Sequence, residues 1–292
     1  MLKQISFLAA VALIAASCSI KEDRSRCRVP VNVHLNGFSK TFEEFPDTKD
    51  GTAINSYNGV NAVTLAFYTA GGSEQYKATQ LKSDPTTFTT FGEFELTLPM
   101  GSYTMVAVAY TTRDGSPFTL TSPTEAAYTG AHAYETFAAT QTVNINNTDA
   151  VDIGATLDRI ISQLKVVSTD GKTANVSNLR MTFSAGGRSF NPSTGLATSN
   201  TGFSNAVTVT ANVGAISTCS TAFFLATDEQ TMNVTIQTLD ADNNTICTKT
   251  VNNVPFKRNR MTVLTGALYT NDGVGGSFQL NTDWLDNHSI NF

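Results

Sequence analysis

Hydrophobic and polar residues alternate with a period of two along most of this 292-residue chain. In the stretch VPVNVHLNGF, Val29, Val31, Val33 and Leu35 occupy every second position. The same period recurs in AVTLAFYT, FELTL, SYTMVAVAY, SQLKVVS and NAVTVTANV. Successive side chains of a β-strand point to opposite faces, so this period is typical of strands with one buried face. The pattern predicts an all-β protein.

Turn residues separate the alternating segments, as at Gly71-Gly72, Pro99-Met100-Gly101 and Asp170-Gly171. Short strands at this spacing, with no helical periodicity between them, indicate β-sandwiches. The alternation is weak from about residue 117 to residue 140, which predicts a long loop, and it then resumes. We place a boundary near residue 154 and predict two tandem β-sandwich domains, 29–154 and 155–292.

The N-terminus has the plan of a bacterial export signal. Lys3 precedes an apolar run from Ile5 to Ala16, which is too short to cross a bilayer. The sequence Ala15-Ala16-Ser17-Cys18 resembles the lipobox of bacterial lipoproteins, so we expect a signal peptide at 1–17 and a lipidated tether at 18–28, with acyl chains on Cys18. An ordinary signal peptide with a chance cysteine is the alternative. The lipidated form would be anchored in the outer membrane.

The charged segment that follows Cys18 has two interpretations. Lys21-Glu22-Asp23 is either a solvated, flexible tether or an acidic address that sends a lipoprotein to the cell surface. The second interpretation predicts exposure on the outside of the cell.

Composition narrows the classes of function. Charged residues make up 15% of the chain, and the net charge is −5 with a pI near 5.2. A nucleic-acid-binding protein needs a basic face, so this balance argues against one. Three cysteines remain beside Cys18. Of these, Cys219 and Cys247 lie in strand-like segments and are either a disulfide pair, which an exported protein can form, or small buried hydrophobic residues.

The motifs for catalysis and metal binding are incomplete. Ser162 and Lys165 fit S-x-x-K, but the segment alternates like a strand and the partner motifs are missing. The run from Asp240 to Asn244 begins like a calcium loop and lacks the later ligands, so it is more typical of a polar hairpin turn. The histidines are far apart, at His34, His132 and His288. We predict no enzyme activity, no cofactor and no metal site.

Five segments, in this order, resemble one family: CSIKEDRSRC, LPMGSYTMVAVAY, ATLDRIISQLKV, VPFKRNRMTVLTGALY and GSFQLNTDWLDNHSINF. Together they are similar to the fimbrillin superfamily of Bacteroidales, and particularly to its fimbrial anchor subunits. The similarity extends over nearly the whole chain. One departure concerns the anchor type, in which cysteine-proline-cysteine is usual, whereas Cys27 is followed by Arg28 and Val29.

The resemblance implies two transthyretin-like β-sandwiches and a structural, adhesive role in a surface fimbria. Family members assemble by strand addition, and stalk and tip subunits are first cut after an arginine. The candidate cut points are Arg24, Arg26, Arg28 and Arg159, each of which has an ordinary solvated or structural role as the alternative. The closing segment, 276–292, is a candidate donor strand or a plain final strand.

The resemblance thus makes other fimbrial subunits the expected partners. The alternative function is a solitary surface lipoprotein that binds a glycan or a host ligand on a sandwich face. With Trp284 as its single tryptophan, the chain offers little aromatic surface for sugars.

Overall fold

A computed structural model describes residues 28–38, 53–113, 117–130, 132–270 and 279–281. Within these ranges the regular structure consists of β-strands and one three-residue 3-10 helix, Pro85–Thr87. The predicted all-β class is therefore confirmed, as are its tandem sandwiches. No helix in the described ranges is long and apolar enough to cross a membrane.

Seven strands form the first sandwich: β1 (Arg28–Phe38), β2 (Ala62–Thr69), β3 (Glu74–Leu81), β4 (Glu93–Pro99), β5 (Gly101–Tyr110), β8 (Thr136–Ile145) and β9 (Val151–Arg159). They are hydrogen-bonded in the order β3-β2-β5-β8-β9-β1-β4. Strands β8 and β9 share only two register pairs, so the sheet divides there into two layers. The predicted inward positions, from Val29 to Leu35, are buried in the core between these layers.

Eight strands form the second sandwich: β10 (Ser162–Ser168), β11 (Asn178–Phe183), β14 (Phe203–Thr208), β15 (Thr218–Phe223), β16 (Glu229–Leu239), β17 (Thr245–Lys257), β18 (Met261–Gly266) and β19 (Gln279–Asn281). One sheet has the order β15-β10-β18-β19, and the other has the order β14-β11-β16-β17. Leu164, Val166 and Leu264 of the first sheet pack with Met181 and Ile236 of the second.

A third, composite sheet joins the two sandwiches, and we call it the bridging sheet. It contains β6 (Phe118–Ser122), β7 (Glu125–Tyr128), β12 (Ser189–Asn191) and β13 (Leu196–Ala197), in the order β13-β12-β7-β6. The prediction of a long loop over 117–140 was therefore wrong. It failed because β6 and β7 are short and because their sheet is completed by strands about 60 residues later, which local periodicity does not indicate.

The chain passes from the first sandwich to the second at Ile160 and Ile161, which are buried in an apolar cluster with residues of the bridging sheet. The boundary predicted at 154/155 lies inside β9, and the division into two domains stays a prediction. Because β10 starts at this junction, its far end at Ser168 lies away from the first sandwich. Strand β1 starts at the opposite end of the molecule, where Arg28 pairs with Pro99.

Candidate assembly site

Strand β1 is an internal strand of the first sandwich rather than an edge strand, and we call the space that it fills between β4 and β9 the β1 lane. It pairs in antiparallel fashion with β4, from Arg28↔Pro99 to His34↔Glu93, and in parallel with β9, beginning at Val31↔Val151. The first strand of the described residues is thus flanked on both sides by strands that follow it in sequence. Without β1, the β4 and β9 backbones would each lose a hydrogen-bonding partner.

The inward face of β1 supplies apolar side chains to the core. Val29, Val31 and Val33 are fully buried, and Leu35 is nearly so. Burial of each such side chain stabilises the fold by about 1.5–3 kcal/mol. Here β1 meets both requirements of a strand-binding site, because its backbone pairs with β4 and β9 and its alternate side chains fill apolar pockets in the core.

Polar contacts fix the register of β1 on its outer face. The Asn32 Nδ2 amide donates to Asp152 Oδ1 at 2.8 Å, which connects β1 to β9. On the other side, the Leu35 N–H donates to the Gly92 carbonyl at 3.1 Å. These contacts suit the native strand in a single register, because a shift by one residue would place polar side chains in the core.

The C-terminal strand is held far less firmly. Strand β19 pairs with β18 through three register pairs, Val263↔Asn281, Leu264↔Leu280 and Thr265↔Gln279. It lies at the edge of its sheet. Residues 279–281 are thus a final strand in their own sheet, and the rest of the closing segment lies outside the described residues.

Two of the predicted arginine cut points, Arg24 and Arg26, lie outside the described residues, as does Cys18. Arg28 is the first residue of β1 and is exposed. After Arg28, the next arginine in the sequence is Arg113. A cut after any of the three early arginines would consequently leave β1 attached to the rest of the chain.

Arg159 is a buried structural residue at the end of β9. Its Nε donates to Glu135 Oε1 at 2.5 Å, and its two terminal nitrogens donate to Tyr57 Oη at 3.2 Å and Asn259 Oδ1 at 3.3 Å. Its guanidinium also lies 4.9 Å from the centre of the Phe137 ring. This agrees with the structural alternative stated above, because a protease would have to open the fold to reach the following peptide bond.

The surroundings of Arg159 are tightly packed and charged. Burial and the nearby Glu135 carboxylate raise the pKa of Tyr57 to about 12. The phenol therefore stays protonated over the physiological pH range.

A cleft of about 420 Å³ adjoins Arg159 at the junction and is lined mainly by charged residues. Two ion pairs cross its lining: Lys257 Nζ lies 2.5 Å from Glu229 Oε1, and Arg258 Nη2 lies 2.9 Å from Asp228 Oδ1. Charges of both signs thus compensate one another within the cleft.

Cys219 and Cys247 are buried free thiols, on β15 and β17 respectively. These strands belong to different sheets. Burial raises the pKa of the Cys219 thiol to about 11. The alternative in which the two residues are small buried hydrophobic groups describes their environment, and the disulfide is not formed in this structure.

The described residues contain no group of three or more His, Cys, Asp and Glu side chains that could hold a metal ion. The Asp240 carboxylate accepts hydrogen bonds from the Asp242 and Asn244 N–H groups at 2.9 and 2.8 Å and from Asn244 Nδ2 at 2.9 Å. The Asn244 side-chain amide and backbone N–H hold the pKa of Asp240 below its usual value. These contacts are those of a polar hairpin turn.

Comparison with known proteins identifies a family and a fold. The model of a family of unknown function, DUF6562, matches residues 53–291. No curated protein matches the chain. Among solved structures, a "putative adhesin" from Bacteroides ovatus superposes with a TM-score of 0.53 at 10% identity, over 87% of this chain and 92% of that chain.

Two further structures cover 87% of this chain. One is described as "putative polysaccharide binding proteins" from Bacteroides thetaiotaomicron, with a TM-score of 0.50, 10% identity and 96% of that chain covered. The other is the fimbrial anchor protein Mfa2 from Porphyromonas gingivalis, with a TM-score of 0.49, 12% identity and 98% of that chain covered. At these identities the similarity is one of fold. The expected fold is therefore shared with these structures, and membership of the fimbrillin superfamily stays a prediction.

Proposed function

The chain belongs to the DUF6562 family of unknown function, and we propose that the protein is a lipid-anchored structural subunit of a surface fimbria that supports adhesion. We assign it to the anchor or accessory type rather than to the main stalk. In this proposal Cys18 carries the lipid in the outer membrane, the body is exposed on the cell surface, and other fimbrial subunits are the partners.

The position of β1 is the observation that carries this assignment. A subunit that accepts a strand from its neighbour must first lose the strand that occupies the receiving position, and here β1 occupies that position between β4 and β9. Removal of β1 would require a cut after Phe38, but no arginine lies between Arg28 and Arg113. The arrangement favours a subunit that keeps its N-terminal strand and, with it, the covalent connection to the lipid.

The closing segment supports assembly by strand addition. Its described part, β19, is held by three register pairs at a sheet edge, whereas β1 is held on both sides over most of its length. Exchange of β19 for a strand of another subunit would break few hydrogen bonds. The C-terminal segment 276–292 is therefore our candidate for the strand that is exchanged.

The glycan-binding alternative has less support in the described part of the chain. Exposed large hydrophobic side chains there are aliphatic, namely Leu81, Val213 and Ile216. A platform for stacking sugar rings would need exposed aromatic side chains.

The first test is the intact mass of the protein extracted from outer membranes. We expect a mature N-terminus at Cys18 with three acyl chains, and we expect the protein to fractionate with fimbriae in ladders that resist mild denaturation. An N-terminus directly after Arg24, Arg26, Arg28 or Arg159 would contradict the anchor assignment, because the lipid-bearing Cys18 would have been removed. A monomer that never fractionates with fimbriae would contradict the fimbrial role itself.

A further inference from the structure

A short segment that leads into β8, residues 132–135, connects the first sandwich directly to the second. The Ala133 N–H donates to the carbonyl of Ala222 on β15 at 3.2 Å, and the two residues form an isolated antiparallel bridge. Ala133 is fully buried in the apolar cluster of the junction. The position of this segment therefore reports whether the two sandwiches are in contact.

The residue before Ala133 is a histidine whose ring is enclosed in this contact. The Nδ1 atom of His132 is buried and makes no hydrogen bond within the part of the chain that the structure describes. The His132 ring centre lies 4.5 Å from that of Tyr134, so the ring packs against its own segment on one side. A buried polar atom without a partner is rare in a native protein and calls for an explanation.

A second buried polar atom without a partner belongs to Asn205 on β14. Its Nδ2 donates to Thr221 Oγ1 on β15 at 2.9 Å, whereas its Oδ1 makes no hydrogen bond to the described residues. Asn205 is 2% exposed. The Asn205 side chain approaches His132 closely enough to favour a proton on the histidine ring. Two incompletely satisfied polar side chains, one from each sandwich, thus meet at the junction.

The charge that acts on the His132 ring is positive. The Arg113 guanidinium lies 5.2 Å from the centre of the Tyr134 ring, against which His132 packs. Its charge disfavours a second positive charge on the histidine. A proton on His132 would therefore be placed beside a cation in a buried contact.

The other charged groups close to this segment are already engaged. Arg188, which precedes β12, donates from Nη1 to the Gly130 carbonyl. The Glu135 carboxylate pairs with Arg159, whose Nε lies 2.5 Å from Glu135 Oε1. Among the described residues, no carboxylate forms an ion pair with His132 that would compensate a positive charge on its ring.

These surroundings determine how the contact responds to pH. Burial lowers the pKa of His132, the Asn205 side chain opposes this, and the Arg113 charge adds to the lowering, so that the pKa lies below its usual value. An unfolded histidine has a pKa of about 6.5. Below this pH the unfolded chain binds a proton more readily than the folded one. The neutral ring therefore stabilises the fold above about pH 6.5, and this contribution is lost as the pH falls.

We propose that His132 is a pH-sensitive contact between the two sandwiches. While its ring is neutral, the segment 132–135 stays against β14 and β15. Protonation places an uncompensated charge between the sandwiches and releases the segment, which is a use of histidine that its titration near neutral pH permits. The proposal concerns the junction alone and does not depend on the fimbrial function.

Urea unfolding of the full-length chain at pH 7.5 and pH 5.5 tests the proposal. His132→Gln removes the titrating group and keeps a neutral polar side chain, and His34→Gln is the matched control, because His34 is exposed on β1. On acidification, the folding equilibrium constant of the wild type should fall several-fold more than that of His132→Gln, with about tenfold as the limit set by the unfolded-state pKa. His34→Gln should retain the dependence of the wild type.

Hydrogen exchange locates the effect at the junction. Protection of the Ala133 N–H, corrected for the intrinsic pH dependence of exchange, should decrease between pH 7.5 and pH 5.5 in the wild type and stay constant in His132→Gln. The proposal is overturned if the wild type and His132→Gln respond alike to acid in either measurement.

A titration of the wild type keeps the proposal testable if His132→Gln does not fold. The chain has three histidines, so the NMR ring signals that disappear in His34→Gln and His288→Gln leave the remaining one for His132. We expect the His132 signal to titrate below the usual pKa of about 6.5. Titration at or above that value would show that the folded junction accepts the proton, and the proposal would be wrong.

Discussion

The carboxylate of Asp170 connects the turn after β10 to the segment after β18, and Asp170→Asn should destabilise that connection. Its Oδ1 accepts from the Leu268 N–H at 2.8 Å. Its Oδ2 accepts from the Tyr269 N–H at 2.8 Å, from the Thr270 N–H at 2.9 Å and from Thr270 Oγ1 at 3.1 Å. Asp170 thereby holds residues 268–270, directly after β18, against the turn that follows β10.

The expected loss follows from these four bonds. An asparagine keeps one acceptor oxygen and places an NH₂ group, which is a donor, where the other oxygen was. At least one backbone N–H then faces a donor, and the remaining bonds lose their charged acceptor. Hydrogen bonds to charged groups contribute about 1.5–3 kcal/mol each and neutral ones about 1 kcal/mol. Because Asp170 is partly exposed, we expect Asp170→Asn to lower the free energy of unfolding by about 2 kcal/mol in total.

The same contacts predict a dependence on pH. Partial burial alone would raise the pKa of Asp170, but the hydrogen bonds from Leu268, Tyr269 and Thr270 outweigh it and hold the pKa below its usual value. A lowered folded-state pKa stabilises the fold above the unfolded-state pKa of about 3.9, and this contribution is lost as the pH falls through the folded-state pKa. The difference in stability between wild type and Asp170→Asn should therefore be constant near neutral pH and shrink below about pH 4.

Urea unfolding at pH 7 and at a series of acidic pH values measures both effects. With a slope near 3 kcal/mol per molar urea, a loss of 2 kcal/mol lowers the midpoint by roughly 0.7 M. Asp242→Asn is the matched control, because Asp242 is exposed at the same end of the molecule and the substitution removes the same charge. Equal midpoints for the two variants, or a difference that does not change with acidification, would refute the role given to the Asp170 carboxylate.

Three further predictions concern the junction, a turn and the thiols. Phe190 is fully buried, and its ring centre lies 4.4 Å from that of Phe224. Phe190→Ala should therefore lower the free energy of unfolding, measured with urea, by about 3–5 kcal/mol. A decrease below about 1 kcal/mol would contradict the role of Phe190 in joining the sandwiches. Gly202→Ala should lower the free energy of unfolding by roughly 1–3 kcal/mol in the same assay. The reason is that Gly202 has a φ of +79° and that the new Cβ would lie 2.3 Å from the Phe183 carbonyl oxygen. An unchanged urea midpoint would refute this. Cys219 and Cys247 should resist iodoacetamide in the folded protein and react in 8 M urea, as mass spectrometry of their peptides would show, whereas a bridged pair would react in neither state without a reductant.

The alternation of hydrophobic residues was sufficient to identify most strands and their buried faces. In β4, for example, Phe94, Leu96 and Leu98 are buried while the residues between them are exposed, as the period of two predicts. This succeeds because the direction of a side chain along a strand is a local property of the backbone. The same logic failed over 117–140, where β6 and β7 have only five and four residues and where β7 pairs with β12, about 60 residues later.

The sequence by itself determined the all-β class, the inward residues and the candidate arginines and cysteines. Only the tertiary structure decided that β1 lies between β4 and β9, which follow it by about 60 and 120 residues, because pairing partners are chosen by packing across the whole chain and leave no local signal. The burial of a residue likewise depends on which distant segments of the chain pack against it. For this reason Arg28 and Arg159, which look equivalent in the sequence, are respectively exposed on the first strand and enclosed at the junction.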